Sequence, residues 1–126
     1  MDITGDRDRL RELLRATRTI AVVGASPKSD RDSHKIAKYL LDVGYRMIPV
    51  NPGQTEILGQ KCYASLREIP ETVDMVDLFR RAEETPPIVE DAIAIKAKSV
   101  WFQLETRNDD AMRRAVEAGL TVVADS

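Results

Sequence analysis

Apolar residues along this chain follow two alternating rhythms, short continuous runs and longer stretches at helical spacing. From Met1 to Arg18 the chain is charged, with Leu10, Leu13 and Leu14 on one side, which predicts an amphipathic helix. Thr19 to Val23 is an unbroken β-branched and apolar run ending at Gly24, the pattern of a strand buried on both faces. Ala25 to Ser33 has no periodicity and reads as a polar loop. Ile36, Ala37, Leu40, Leu41 and Val43 then recur as a helix face until Gly44 stops it.

Tyr45 to Val50 predicts a second strand, ended by the turn-forming Asn51-Pro52-Gly53. Residues 54–72 are less regular, with Ser65 placed to cap a short helix through Ile69. Val73 to Phe79 is a third strand, and Pro86 opens a helix carrying Ile88, Val89, Ala92, Ile93 and Ile95. Ser99 to Leu104 is a fourth strand. Asn108 caps a helix bearing Ala111, Met112, Ala115 and Val116, Gly119 ends it, and Leu120 to Ala124 is a fifth strand. Buried strands alternating with helices require a parallel sheet with right-handed crossovers. The expectation is one Rossmann-like doubly wound α/β domain over residues 1–126, with five strands in the order 3-2-1-4-5.

Composition narrows the partners. With 126 residues the chain matches one ordinary domain, and 43% hydrophobic against 32% charged residues is the balance of a soluble globule. Nineteen basic against twenty-one acidic residues leave a net charge of -2, so no global positive field exists to hold a nucleic-acid backbone. No apolar stretch is long enough to span a bilayer. A lone cysteine, Cys62, forbids an internal disulfide, and a cytoplasmic location is expected.

In open sheets of this type ligands sit beyond the carboxyl ends of the strands at the switch in strand order, here expected at strands one and four. Strand one delivers Gly24, Ala25, Ser26 and Pro27, and strand two delivers Asn51 and Pro52. Strand three delivers Phe79, Arg80 and Arg81, and strand four Gln103 and Leu104. Gly24 would let a phosphate approach the backbone, Ser26 offers a hydroxyl, and the next helix, capped near Ser33, aims free amides outward. Lys28, Arg31 and Lys35 add positive charge there. Asn51 and Pro52 suit a ribose or adenine edge, Phe79 can stack on a base, and Arg80 can pair with phosphate. Each also has a plainer use, as turn-former, core aromatic or solvated cation.

Other chemistries lack their parts. The further glycines and the acidic second-strand end of a dinucleotide fingerprint are missing, as is the Gly-Lys-Ser or Gly-Lys-Thr of an ATPase phosphate loop. Asp77 stands near where a receiver domain carries its phosphoacceptor, but that domain's acidic cluster after strand one and lysine after strand five are absent. His34, the one histidine, reads as a capping or ligand-contact residue, Cys62 as a small apolar one and Trp101 as core. With no second histidine or cysteine, no metal site is expected.

The runs Ala21-Val22-Val23-Gly24-Ala25-Ser26-Pro27 and Ile48-Pro49-Val50-Asn51-Pro52 resemble the small CoA-binding domain family. Leu58-Gly59, Tyr63, Ser65-Leu66, Ile69-Pro70, Val73-Asp74, Phe79-Arg80-Arg81 and Val100-Trp101-Phe102-Gln103-Leu104 continue the likeness in order and spacing. That family is similar to the amino-terminal domain of the succinyl-CoA synthetase α subunit, which implies a sheet gripping the diphosphate of coenzyme A at its first loop. Carried over, Gly24, Ala25, Ser26 and Lys28 would cradle phosphate, and Arg31 and Ser33, read from the loop itself, join them as candidate binding residues. Val50, Asn51 and Pro52 would line the nucleotide, and Phe79, Arg80 and Gln103 would face the rest of the ligand.

The synthetase's phosphorylated histidine belongs to a domain absent here, so a non-catalytic module for CoA or acyl-CoA is expected, with a protein partner or homo-oligomer compatible with it. The alternatives are an enzyme or enzyme subunit acting on acyl-CoA through Cys62 or His34, and an NAD-binding or regulatory domain. Family members generally run on into a cysteine-containing basic tail, so a truncated or divergent end is expected at Ser126.

Overall fold

The computed structural model describes residues 1–125. Helix α1 (Arg7–Ala16) starts at Asp6, whose carboxylate accepts the Arg9 amide at 3.1 Å. Strand β1 (Thr19–Val23) leads through the expected polar loop into α2 (Asp32–Asp42), and β2 is Arg46–Val50. A two-residue hairpin, β3 (Glu56–Ile57) and β4 (Gln60–Lys61), stands in the irregular segment. Then come β5 (Met75–Leu78), α3 (Thr85–Ala94), β6 (Ser99–Phe102), α4 (Asp109–Glu117) and β7 (Thr121–Ala124). Asn108 caps α4 as expected, accepting the Ala111 amide. Ser65 does not cap: the turn at Leu66–Glu68 is a 3₁₀ turn, and the Ser65 hydroxyl reaches the Glu68 carboxylate instead.

The five long strands form one parallel sheet in the order β2-β1-β5-β6-β7, which is the expected Rossmann-like class. The placing of the third long strand differs from the expected 3-2-1-4-5. β5 pairs with β1, giving 2-1-3-4-5 when the long strands alone are numbered. The reason lies in the segment after β2. Tyr63 bridges Val50, its amide bonds the Pro49 carbonyl, and its carbonyl takes the Asn51 amide, so the outer edge of β2 is already occupied. β5 finds its partner at the free edge of β1. The switch in strand order therefore falls between β1 and β5, not between the first and fourth strands.

Side chains alternate between two faces. Ala21, Val23, Ile48, Val76, Val100 and Phe102 join α3 and α4 in the larger core. Ile20, Val22, Met47 and Met75 meet α1 and α2 on the other face, where Trp101 is only half-buried. The amino terminus lies along β7, with Ile3 N–H donating to Val122 O at 2.9 Å, and so covers that edge. No helix among the described residues is long and apolar enough to cross a membrane.

Candidate functional site

Three chain segments meet where β1 ends. The Gly24 amide donates to Val50 O at 3.0 Å and the Phe79 amide to Val23 O at 2.8 Å, which fixes the loops after β2 and β5 on either side of β1. Gly24 has φ +88°, and a Cβ there would stand 2.7 Å from the Phe79 carbonyl oxygen. Its missing side chain is thus required by the protein's own backbone as well as by any approaching ligand.

The loop from Gly24 to α2 is braced from within. Ser33 Oγ, buried, accepts the Ser26 amide at 3.1 Å, and Ser26 Oγ accepts the Lys28 amide at 3.1 Å. His34 Nδ1 lies 2.9 Å from the Ser26 carbonyl; a carbonyl only accepts, so Nδ1 carries the proton. Ser33 and His34 therefore hold the loop, and the Ser26 hydroxyl keeps its proton for a ligand. Arg31, at the N-cap of α2, provides no side-chain cap, and the Asp32 and Ser33 amides have no acceptor among the described residues. The positive end of α2 is open toward the crevice.

That crevice has a volume of about 630 Å³ and is lined by Gly24, Ser26, Lys28, Arg31, Phe79 and Arg80, among others. Lys28 and Arg31 are exposed, whereas Arg80 is half-buried and forms no ion pair among the described residues. Arg81 is engaged by Glu83 at 3.5 Å and Glu84 at 3.0 Å, so of this adjacent pair Arg80 is the guanidinium left for an anion. Asp32, Glu83 and Glu105 stand on the same rim and temper the positive field.

Other expected residues lie elsewhere. Ala25 is fully buried, and only its backbone reaches the loop. Asn51 Nδ2 donates to Ala25 O at 2.8 Å while its Oδ1 accepts the Gly53 amide at 2.8 Å, so both ends of its amide are used internally. Val50 and Pro52 line a smaller cavity of about 190 Å³ with Leu66 and Ile88, and Arg80 touches both spaces. Gln103 turns away from the crevice: its Nε2 donates to Asp77 Oδ1 at 2.7 Å on the α1/α2 face. Burial pushes the Cys62 thiol up, so it stays protonated and is a weak nucleophile.

Ala82, Glu105 and Thr106 line the crevice although the sequence does not single them out. The β6–α4 loop brings the last two there, turning at Glu105 with φ +75° and tied by the Thr106 amide to Gln103 O at 3.0 Å. No local pattern announces a loop that folds over a neighbouring strand end.

Comparison with known proteins fits this geometry. The protein YneT of Bacillus subtilis is 40% identical over 116 residues, covering 92% of this chain and 86% of YneT. A solved structure of a hypothetical protein from Pyrococcus horikoshii superposes with a TM-score of 0.92 at 48% identity, covering 94% of this chain and 83% of that one. An ADP-forming acetate–CoA ligase of Archaeoglobus fulgidus is 38% identical over 74 residues, which are 59% of this chain but 11% of the ligase. The family model described as a CoA binding domain matches residues 18–126, from just before β1 to the end of the chain, and this chain belongs to that family.

Proposed function

We propose that this chain binds coenzyme A or an acyl-CoA in the crevice at the ends of β1 and β5 and carries out no chemistry of its own. One observation carries the reading: the open positive end of α2, the Ser26 hydroxyl and the cations Lys28, Arg31 and Arg80 converge on one crevice of about 630 Å³. Amides at a helix start and unpaired guanidinium groups suit a diphosphate, which needs several donors in a small space. The smaller apolar cavity beside Arg80, walled by Val50, Pro52, Leu66 and Ile88, suits the adenine end of the ligand. A protonated Cys62 and a histidine committed to the Ser26 carbonyl favour binding over catalysis. We assign the function to one domain in the cytoplasm, in keeping with a chain that has no second cysteine for an internal disulfide.

Isothermal titration with CoA, dephospho-CoA, ATP and NAD tests the proposal. CoA is expected to bind tightest, and equal indifference to all four would defeat it. The likeness to ADP-forming ligases, of which this chain matches a small part, favours a second reading in which the module presents CoA to a catalytic partner. Co-purification of a stable partner with CoA-dependent ligase activity would establish that reading.

A further inference from the structure

On the sheet face covered by α1 and α2 lies a second cleft of about 470 Å³, apart from the crevice above. Its walls are apolar, formed by Leu14, Ile20, Ile36, Leu40, Val43 and Met75. Its floor is not. Asp77, only 5% exposed, lines it from the middle of β5, beside Trp101 on β6 and Gln103 just beyond it.

The polar groups there are nearly all acceptors. Gln103 Nε2 is used on Asp77 Oδ1 at 2.7 Å, Trp101 Nε1 on Asp125 Oδ1 at 3.0 Å, and the Tyr45 hydroxyl on Leu14 O at 3.1 Å. Asp77 Oδ2 has no donor among the described residues, and no lysine or arginine lines the cleft. A carboxylate with one free oxygen, a second carboxylate close by at Asp125 and the rings of Trp101, Tyr39 and Tyr45 together specify a ligand. We propose that this cleft binds a small apolar organic ammonium, its head group on Asp77 Oδ2 and its hydrocarbon part between α1 and α2. An anion would meet two carboxylates. A purely apolar occupant, small molecule or partner helix, would seal the Asp77 oxygen away from water without a donor.

Burial, with the Asp125 charge adding to it against the Gln103 hydrogen bond, pushes Asp77 up to about 7. The titratable groups around it are Asp125 beyond β7, Tyr39 on α2 and Tyr45 before β2; α1 contributes only Leu14 to the cleft. An ammonium ligand pairs with the ionised carboxylate, the Asp77 proton being released to solvent, so its affinity rises as pH increases through that range.

Trp101 is the chain's only tryptophan and lines the cleft, so its fluorescence reports occupancy directly. The probes are hexylamine, hexan-1-ol and hexanoate at about pH 8, where Asp77 is mostly ionised. Hexylamine is expected to give a saturable change, with hexan-1-ol about tenfold weaker and hexanoate weaker still. Asp77→Asn should weaken hexylamine about tenfold and leave hexan-1-ol within about twofold. If that variant does not fold, the wild-type protein at about pH 5.5 serves in its place, with the same loss for hexylamine alone. Saturating CoA should leave the titration unchanged. No saturable response, equal binding of amine and alcohol, indifference to both Asp77→Asn and acid, or displacement by CoA would each overturn the proposal.

Discussion

Gly24 faces the carbonyl of Phe79 so closely that a methyl group on its Cα would lie 2.7 Å from that oxygen. The same residue sits at φ +88°, so any replacement is strained by its own backbone and by its neighbour's. Gly24→Ala is expected to cost at least about 2 kcal/mol of stability, since a left-handed conformation and a backbone clash must both be accommodated. Urea denaturation measures it. A variant within experimental error of wild type would mean that the β1 and β5 loops are not held against each other as described.

Asn51 ties the end of β2 to the loop after β1 through its bond to Ala25 O at 2.8 Å. Asn51→Ala should therefore destabilise by about 1–3 kcal/mol through the unpaired carbonyl and loosen the loop that presents Ser26. Asn51→Asp keeps the acceptor for the Gly53 amide but loses the donor, so it should not rescue. Paired denaturation and CoA titrations of the two variants check this, and rescue by Asp would assign the residue's value to Gly53 alone.

Arg80 and Arg81 are adjacent but differ in what they are free to do. Arg80→Ala should weaken CoA binding about tenfold or more and reduce its salt dependence, as expected for loss of a charge-assisted contact. Arg81, already held by Glu83 and Glu84, should matter less when changed to Ala. Titration at two salt concentrations separates them, and the opposite ranking would mean that Arg81, on the rim of the same crevice, leaves its glutamates to make the phosphate contact.

Asp77 gives the fold an unusual pH dependence. Its folded value of about 7 lies above the unfolded carboxylate value near 4, so the folded state holds the proton more tightly. Stability is then lost as pH rises from about 4 to 7 and levels off above, by linkage. Asp77→Asn should be more stable than wild type by up to about 4 kcal/mol at pH 8 and lose that advantage near pH 4. Thermal melts across this range measure it, and a constant difference would show that Asp77 does not titrate there.

Asp74, three residues earlier, carries the opposite sign. Burial resists its ionisation, but the Thr19 and Arg18 amides and the Lys98 charge outweigh that and hold its carboxyl below the usual range. Its stabilisation is present at neutral pH and lost as pH falls through the lowered folded value. Asp74→Ala should cost about 1–3 kcal/mol at pH 7 and progressively less in acid. A difference that persists unchanged in strong acid would rule this out.

Much of this molecule could be read along the chain, because its signals are local. The run Thr19 to Val23, the helical spacing from Ile36 to Leu41 and the Asn108 cap each name an element from a few neighbouring residues, and those elements formed. The meeting of two loops was legible as well, since Gly24, Ser26, Lys28 and Arg31 after β1 and Phe79 and Arg80 after β5 all line the crevice. Gln103 and Asn51 were not legible as the structure has them. Nothing adjacent in sequence says that one bonds Asp77 and the other Ala25, each 26 residues away.

By itself, then, the sequence determined which segments are strands and helices, that the sheet is parallel, and that Gly24, Ser26, Lys28 and Arg31 gather after the first strand. Only the tertiary structure decided that β5 lies beside β1, because Tyr63 closes the outer edge of β2, and so moved the switch point to the β1/β5 boundary. It alone also put Asp77 under α1 and α2 with one oxygen free. Strand pairing and burial depend on which distant groups compete for the same edge or space, and a pattern of neighbouring residues carries no record of that competition.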